Sequence, residues 1–375
     1  MTDRYSRRRL LRSGAGIAAG TSMIGTAAAD HENAADLEFR KIPCVDLTDV
    51  EDRTRTISPS EPIPEPATGI RPGSAIVIDF EDGGSSGCTA NFVWRDTNTV
   101  IGGSDEVDDP ERNPLYLGSA GHCFLPEGVA GENAKRQENE EVYDLSKVTV
   151  RVCDDCTFGG LTDSVLGGDT YELGEVVYAR QALPNEDGGE GEEVGSDFGL
   201  VRIPEELRPA VDPSMPQFGG PVGEETGAVP AGETVCQFGA GYGGEVFATQ
   251  GSRGVSQGTV VDDDDDGDGI SDRWYAGIRA SFGDSGSLLV RYEAGRGTDA
   301  AGVITHLAAA VAVAGVGGPT AGTTVTRCAE MPVVDGVSLA PDSNVPEGEG
   351  DGEGAGKTET LPELEVVTAG EDVTL

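Results

Sequence analysis

The segment Phe282-Gly283-Asp284-Ser285-Gly286-Ser287 carries a serine hydroxyl in a stretch whose glycines permit a tight, exposed turn. On such a turn the backbone N–H groups of Gly283 and Ser285 can converge and hold the oxyanion that develops when a carbonyl is attacked. A serine hydroxyl is too weak an acid to attack unaided and needs a base, most often histidine. The chain has three histidines: His31 in a polar N-terminal stretch, His122 in Ser119-Ala120-Gly121-His122-Cys123, and His306 in Ile304-Thr305-His306-Leu307. His122 follows a strand-like run, which would give an imidazole the rigid mounting a base requires. Asp197, in Gly195-Ser196-Asp197-Phe198-Gly199-Leu200-Val201, leads directly into an apolar strand. A carboxylate there is costly unless partnered, and an imidazole N–H is a partner that would fix the useful tautomer. Singly these motifs also read as a surface turn, a structural histidine and a turn-capping aspartate. Together they describe nucleophilic acyl transfer.

The elements that must carry these residues are short runs at 75–80, 89–94, 115–117, 148–152, 175–178, 198–203, 287–290 and 302–304. They are rich in β-branched and aromatic residues and separated by Gly/Asp/Asn/Pro loops, with no long amphipathic helix between them. That pattern predicts an all-β sandwich or barrel. Residues 30–72 are polar and proline-dotted and read as a linker or pro-segment, residues 73–340 as the folded domain, and the glycine- and glutamate-rich 341–375 as an acidic disordered tail.

In chain order, Ala120-Gly121-His122-Cys123, Asp197-Phe198-Gly199-Leu200-Val201 and Gly283-Asp284-Ser285-Gly286 resemble the chymotrypsin-like (trypsin-fold) serine proteases. Cys88-Thr89-Ala90-Asn91-Phe92-Val93 is similar to the secreted bacterial branch, and the composition to haloarchaeal proteins. The resemblance implies a double six-stranded antiparallel β-barrel with acidic loop insertions. His122 and Asp197 would come from the first barrel and Ser285 from the second, with Gly283 and Ser285 forming the oxyanion hole. It further implies a Cys88–Cys123 disulfide, peptide or protein substrates, and no required cofactor. The order His, Asp, Ser separates this pattern from α/β-hydrolases, where the acid falls between serine and histidine. The chain departs from the family in Ser287, where many relatives have glycine, and in a long acidic insertion between His122 and Asp197. It also lacks an Ile-Val-Gly-Gly-type activation terminus. A catalytically inactive binding protein on the same fold, at the cell surface, is the alternative, and an esterase a third reading. Arg279, six residues before Ser285, falls where such proteases set the base of the primary specificity pocket, with His306 in the wall of the same cleft. The pair implies a preference for Glu or Asp before the scissile bond.

Seven cysteines in an exported chain read first as disulfides, with at least one left over. Cys153 and Cys156 suit a local disulfide better than zinc, which needs four ligands. Asp264, Asp266, Asp268 and Asp272 have the alternating spacing of a structural calcium loop. Tyr275 stands where the closing glutamate belongs, and this favours the other reading, a solvated acidic hairpin.

The formal net charge of −41 excludes nucleic acid as a partner and suits molar salt, in which self-repulsion is screened over about 3 Å. At the N-terminus, Ser6-Arg7-Arg8-Arg9-Leu10-Leu11-Arg12, a mildly apolar stretch and Ala27-Ala28-Ala29 predict a twin-arginine signal over 1–29 and a secreted protein. The apolar stretch is too short to span a bilayer, which takes roughly 20 residues. Oligomeric state leaves no mark in the sequence.

Overall fold

The computed structural model describes residues 69–99, 112–126, 129–131, 142–153, 156–158, 165–166, 170–181, 194–215, 221–241, 251–258, 270–278, 280–293, 297–307, 310–311, 316–317, 320–339, 361–369, 371 and 373. The expected signal segment at 1–29 lies outside these residues.

Alternation of buried and less buried positions builds the first barrel. In β1 (Ala75–Phe80), Ile76, Ile78 and Phe80 turn inward, and the strand pairs antiparallel with β2 (Ser85–Thr89) and with β5 (Val148–Cys153). The chain continues from β2 into β3 (Val93–Asp96), which pairs with β4 (Leu115–Ser119). β4 pairs with β8 (Phe198–Arg202), and β8 with β7 (Val176–Arg180). Just upstream of β7, β6 (Thr170–Glu172) pairs back onto β5 and closes the cylinder. Counting β2/β3 and β6/β7 as bent single strands gives six. A short helix, α1 (Gly121–Phe124), follows β4.

The second barrel is a closed ring in the order β13 (Gly297–Leu307), β12 (Leu288–Glu293), β9 (Thr234–Phe238), β10 (Gly251–Gly258), β11 (Arg273–Gly277) and β14 (Thr320–Thr324), with β14 pairing again onto β13. All six pairings are antiparallel. The double six-stranded β-barrel is therefore the fold that the sequence resemblance implied. A ten-residue helix, α2 (Val325–Val334), follows β14; Thr324 caps it by accepting the Arg327 N–H at 3.3 Å. One apolar cluster joins the halves, drawing Phe92, Trp94, Tyr178 and Phe198 from the first barrel and Phe238, Leu288 and Val303 from the second, with Val325 and Met331 of α2.

Two expected boundaries need correction. The folded domain begins before residue 73: Ile70 is fully buried, bridges to Val211 and donates its N–H to Ala210 O at 2.9 Å. At the other end, the disordered tail expected over 341–375 does not hold for 361–369, 371 and 373; residues 341–360 lie outside the described chain. β15 (Leu364–Val366) pairs antiparallel with β3 and adds an outer strand to the first barrel. Leu364, Val366, Val367 and Val373 are buried, Arg95 binds Glu365 at 3.0 Å and Glu371 at 2.9 Å, and buried Arg208 donates to Val373 O at 3.1 Å. Acidic composition hid an alternating Leu-Pro-Glu-Leu-Glu-Val-Val pattern whose apolar members have a core to enter.

A chain ending at residue 360 should lose the burial of four apolar side chains, each contributing about 1.5–3 kcal/mol. The expected loss is on the order of 10 kcal/mol, read as a lower denaturant midpoint in molar salt; an unchanged midpoint would contradict this packing.

Candidate active site

Asp197 precedes β8, and the pairing of β8 with β4, Gly199 opposite Ser119, brings it beside α1 and His122. Its Oδ2 lies 2.6 Å from His122 Nδ1, and its Oδ1 accepts the backbone N–H of His122 at 3.0 Å. The acid side chain is 2% exposed and the imidazole 32%, so a buried carboxylate backs a ring that reaches solvent. Burial is the largest influence on Asp197 and pushes its pKa up. Attraction to His122, the hydrogen bonds from that residue and the charge of His306 outweigh it, and the carboxyl lies below its usual range. Ionised Asp197 therefore accepts a hydrogen bond from Nδ1–H, which leaves Nε2 as the basic nitrogen. Behind Asp197, the hydroxyl of Thr323 on β14 accepts its N–H at 3.3 Å and donates to its C=O at 3.1 Å.

Ser285 comes from the second barrel, on the turn that precedes β12. Gly283 and Gly286 have φ of +91° and +85°, values that side-chain-bearing residues rarely adopt. A Cβ on Gly286 would fall 2.0 Å from Ser119 Oγ and 2.5 Å from Thr89 O, so glycine also lets this turn close on the first barrel. Thr89 fastens it: its N–H donates to Ser285 O at 2.9 Å, and its hydroxyl donates to Gly283 O at 2.7 Å while accepting the N–H of Ala240 at 3.0 Å. Ser285 O also lies 3.8 Å from Sγ of Cys123, the residue after His122. Gly286 donates its N–H to Ile304 O on β13 at 2.7 Å. Among the described residues, the N–H groups of Gly283 and Ser285 meet no acceptor.

Between them, the buried Asp284 carboxylate accepts the N–H of Gly241 at 2.8 Å, the N–H of Ser281 at 2.7 Å and the Ser281 hydroxyl at 3.1 Å. Burial raises its pKa to about 7, partly offset by these bonds.

Of the remaining candidates, His306 is buried on β13, two residues past Ile304, with Nδ1 2.6 Å from Thr305 Oγ1. Arg279 lies outside the described residues, as do Asp264, Asp266 and Asp268. The Asp272 carboxylate is buried 3.5 Å from the Arg327 guanidinium. The Cys88–Cys123 disulfide is formed and ties the end of β2 to α1. By loop-closure entropy a bridge over 35 residues contributes about 4 kcal/mol. Cys153 and Cys156 are disulfide-bonded to each other, which commits both sulfurs that zinc would need. Cys236 is disulfide-bonded as well, and Cys328 is a buried free thiol. Sequence reasoning missed Thr89, Gly241 and Thr323. Hydroxyl residues are frequent in this chain, and nothing in Thr320-Ala321-Gly322-Thr323-Thr324 sets one threonine apart.

No family model and no curated protein matches the sequence. Solved structures similar to the chain include Thermobifida fusca protease A (16% identity, TM-score 0.36, covering 72% of this chain and 99% of that one). A Nocardiopsis protease (16%, 0.34, 72% and 100%) and Cellulomonas bogoriensis chymotrypsin (18%, 0.33, 72% and 97%) are others. These are bacterial proteases of the trypsin fold, the kind that the three sequence motifs resemble.

Proposed function

We propose that the chain is a secreted serine endopeptidase acting through His122, Asp197 and Ser285. The observation that carries the reading is the 2.6 Å hydrogen bond between His122 and a buried, ionised Asp197, with the Ser285 turn docked against the neighbouring Cys123. His122 Nε2 takes the hydroxyl proton of Ser285 as its oxygen attacks a peptide carbonyl, and Asp197 stabilises the imidazolium that forms. The N–H groups of Gly283 and Ser285 receive the oxyanion. His122 then returns the proton to the leaving amine, and water, activated in the same way, releases the acyl group. Disulfides at Cys88, Cys123, Cys153 and Cys156 suit an oxidising, extracellular setting.

Labelling by a serine-directed fluorophosphonate in molar salt should occur and should vanish in Ser285→Ala; absence of labelling in the unaltered chain would remove the hydrolase reading. Asp197→Asn should lower peptide turnover by about 10⁴-fold.

His306, close enough to Asp197 for its charge to act there, keeps an imidazole near the site, and this supports a preference for acidic side chains. Peptides differing only in the residue before the scissile bond should be cleaved fastest after Glu or Asp. Equal cleavage after apolar residues would refute that preference.

Asp284 gives the turn a pH signature. In the folded chain it titrates near 7 against about 4 when unfolded, so between these values the folded state keeps a proton that the unfolded state releases. Its contribution to stability therefore falls as pH rises through that window. Unfolding free energies measured from pH 5 to 8 should drop more steeply for the unaltered chain than for Asp284→Asn; parallel curves would rule out the raised pKa.

A further inference from the structure

Four polar atoms of Asp197 meet just two residues. Both carboxylate oxygens accept from His122, while the backbone N–H and C=O share the hydroxyl of Thr323. His122 belongs to the first barrel; Thr323 belongs to the second and stands 126 positions further along the chain. Asp197 sits just ahead of the β8 ladder, so its backbone groups find no strand partner there. Buried N–H and C=O groups must be satisfied, and here one side chain from the opposite barrel satisfies both.

Thr323 is well fixed for that task. It is fully buried. Its strand is laddered on both sides, with Thr323 opposite Arg273 on β11 and Val303 on β13. Its C=O accepts the indole N–H of Trp274 at 3.0 Å. Its hydroxyl therefore has a position set by the closed second barrel, independent of the loop that carries Asp197.

We infer that Thr323 is a positioning residue of the triad, clasping the backbone of Asp197 so that docking of the second barrel sets the aim of the carboxylate at His122. This rests on the proposed endopeptidase function. The general base then reaches full strength only when the barrels are seated on each other. Catalysis is sensitive to such aim, since a misplacement of about 1 Å can cost on the order of 100-fold in rate.

The test compares Thr323→Val, which keeps shape and loses the hydroxyl, with Thr323→Ser, which keeps the hydroxyl; Thr323→Ala adds no bulk and serves if the valine variant does not fold. Active serine is titrated with fluorophosphonate, and peptide hydrolysis is expressed per titrated site. Thr323→Val or Thr323→Ala should lose about 10- to 100-fold in kcat with KM changed less than about twofold, and Thr323→Ser should recover most of the loss. A variant that melts at lower temperature but keeps full kcat per titrated serine would overturn the inference and leave the endopeptidase reading standing. Failure of the unaltered chain to label at Ser285 would instead remove the reading itself, and the inference with it.

Discussion

A carboxylate stripped of water keeps its charge only if the surroundings replace what water gave it. Asp197 is in that position. Its side chain is 2% exposed, yet its pKa lies below that of an ordinary carboxyl, because His122 approaches it twice and His306 adds favourable charge. The charge on this one group sets the tautomer of His122, and the tautomer decides which ring nitrogen can accept a proton. Asp197 is met by the first barrel through His122 and by the second through Thr323. The architecture that surrounds it is thus a means of holding two closed sheets at one distance.

Several features serve that seam. The apolar cluster at the interface draws Phe92, Trp94 and Phe198 from one side and Phe238, Leu288 and Val303 from the other. Thr89 reaches across to the Ser285 turn with both its N–H and its hydroxyl. Helix α2 leaves the second barrel and ends at Asp335, whose carboxylate accepts from Arg180 at 2.9 Å and from the Tyr178 hydroxyl at 2.5 Å, both on β7 of the first. The Cys88–Cys123 bond locks the ground beneath His122. Hydrogen bonds and ion pairs across a buried interface are directional, so they fix orientation where apolar packing alone would permit sliding.

The legible part of this protein is the part in which chemistry or alternation speaks locally. His122, Asp197 and Ser285 stand in distinctive contexts, and the runs at 75–80, 115–117, 148–152 and 198–203 carry enough apolar residues to announce their strands. Much of the second barrel was silent. β10 reads Gly-Ser-Arg-Gly-Val-Ser-Gln-Gly and β14 reads Thr-Ala-Gly-Thr-Thr, with no apolar alternation to detect. The reason is spatial: a Cβ on Gly302 of β13 or Gly322 of β14 would come within 2.4 Å of Trp274 Nε1 or 2.9 Å of its Cζ2, and one on Gly254 of β10 within 2.2 Å of Gly277 O and 2.9 Å of Ile278 Cβ. Small residues are demanded by close neighbours that are distant in sequence. Helix α2 was overlooked for a related reason, since Val-Thr-Arg-Cys-Ala-Glu-Met-Pro-Val-Val has a proline and four β-branched residues and owes its shape to the seam on which it packs.

The first barrel has a peculiarity of assembly. Its outermost strand, β15, lies more than 260 residues from its partner β3, with Leu364 opposite Asp96. Synthesis delivers the second barrel whole before that strand exists. During translation the β3 edge therefore waits as an unsatisfied row of backbone donors and acceptors, open to any extended peptide in the cell. The first barrel is thus finished last, and its exposure to mispairing lasts until residues 364–366 have emerged from the ribosome.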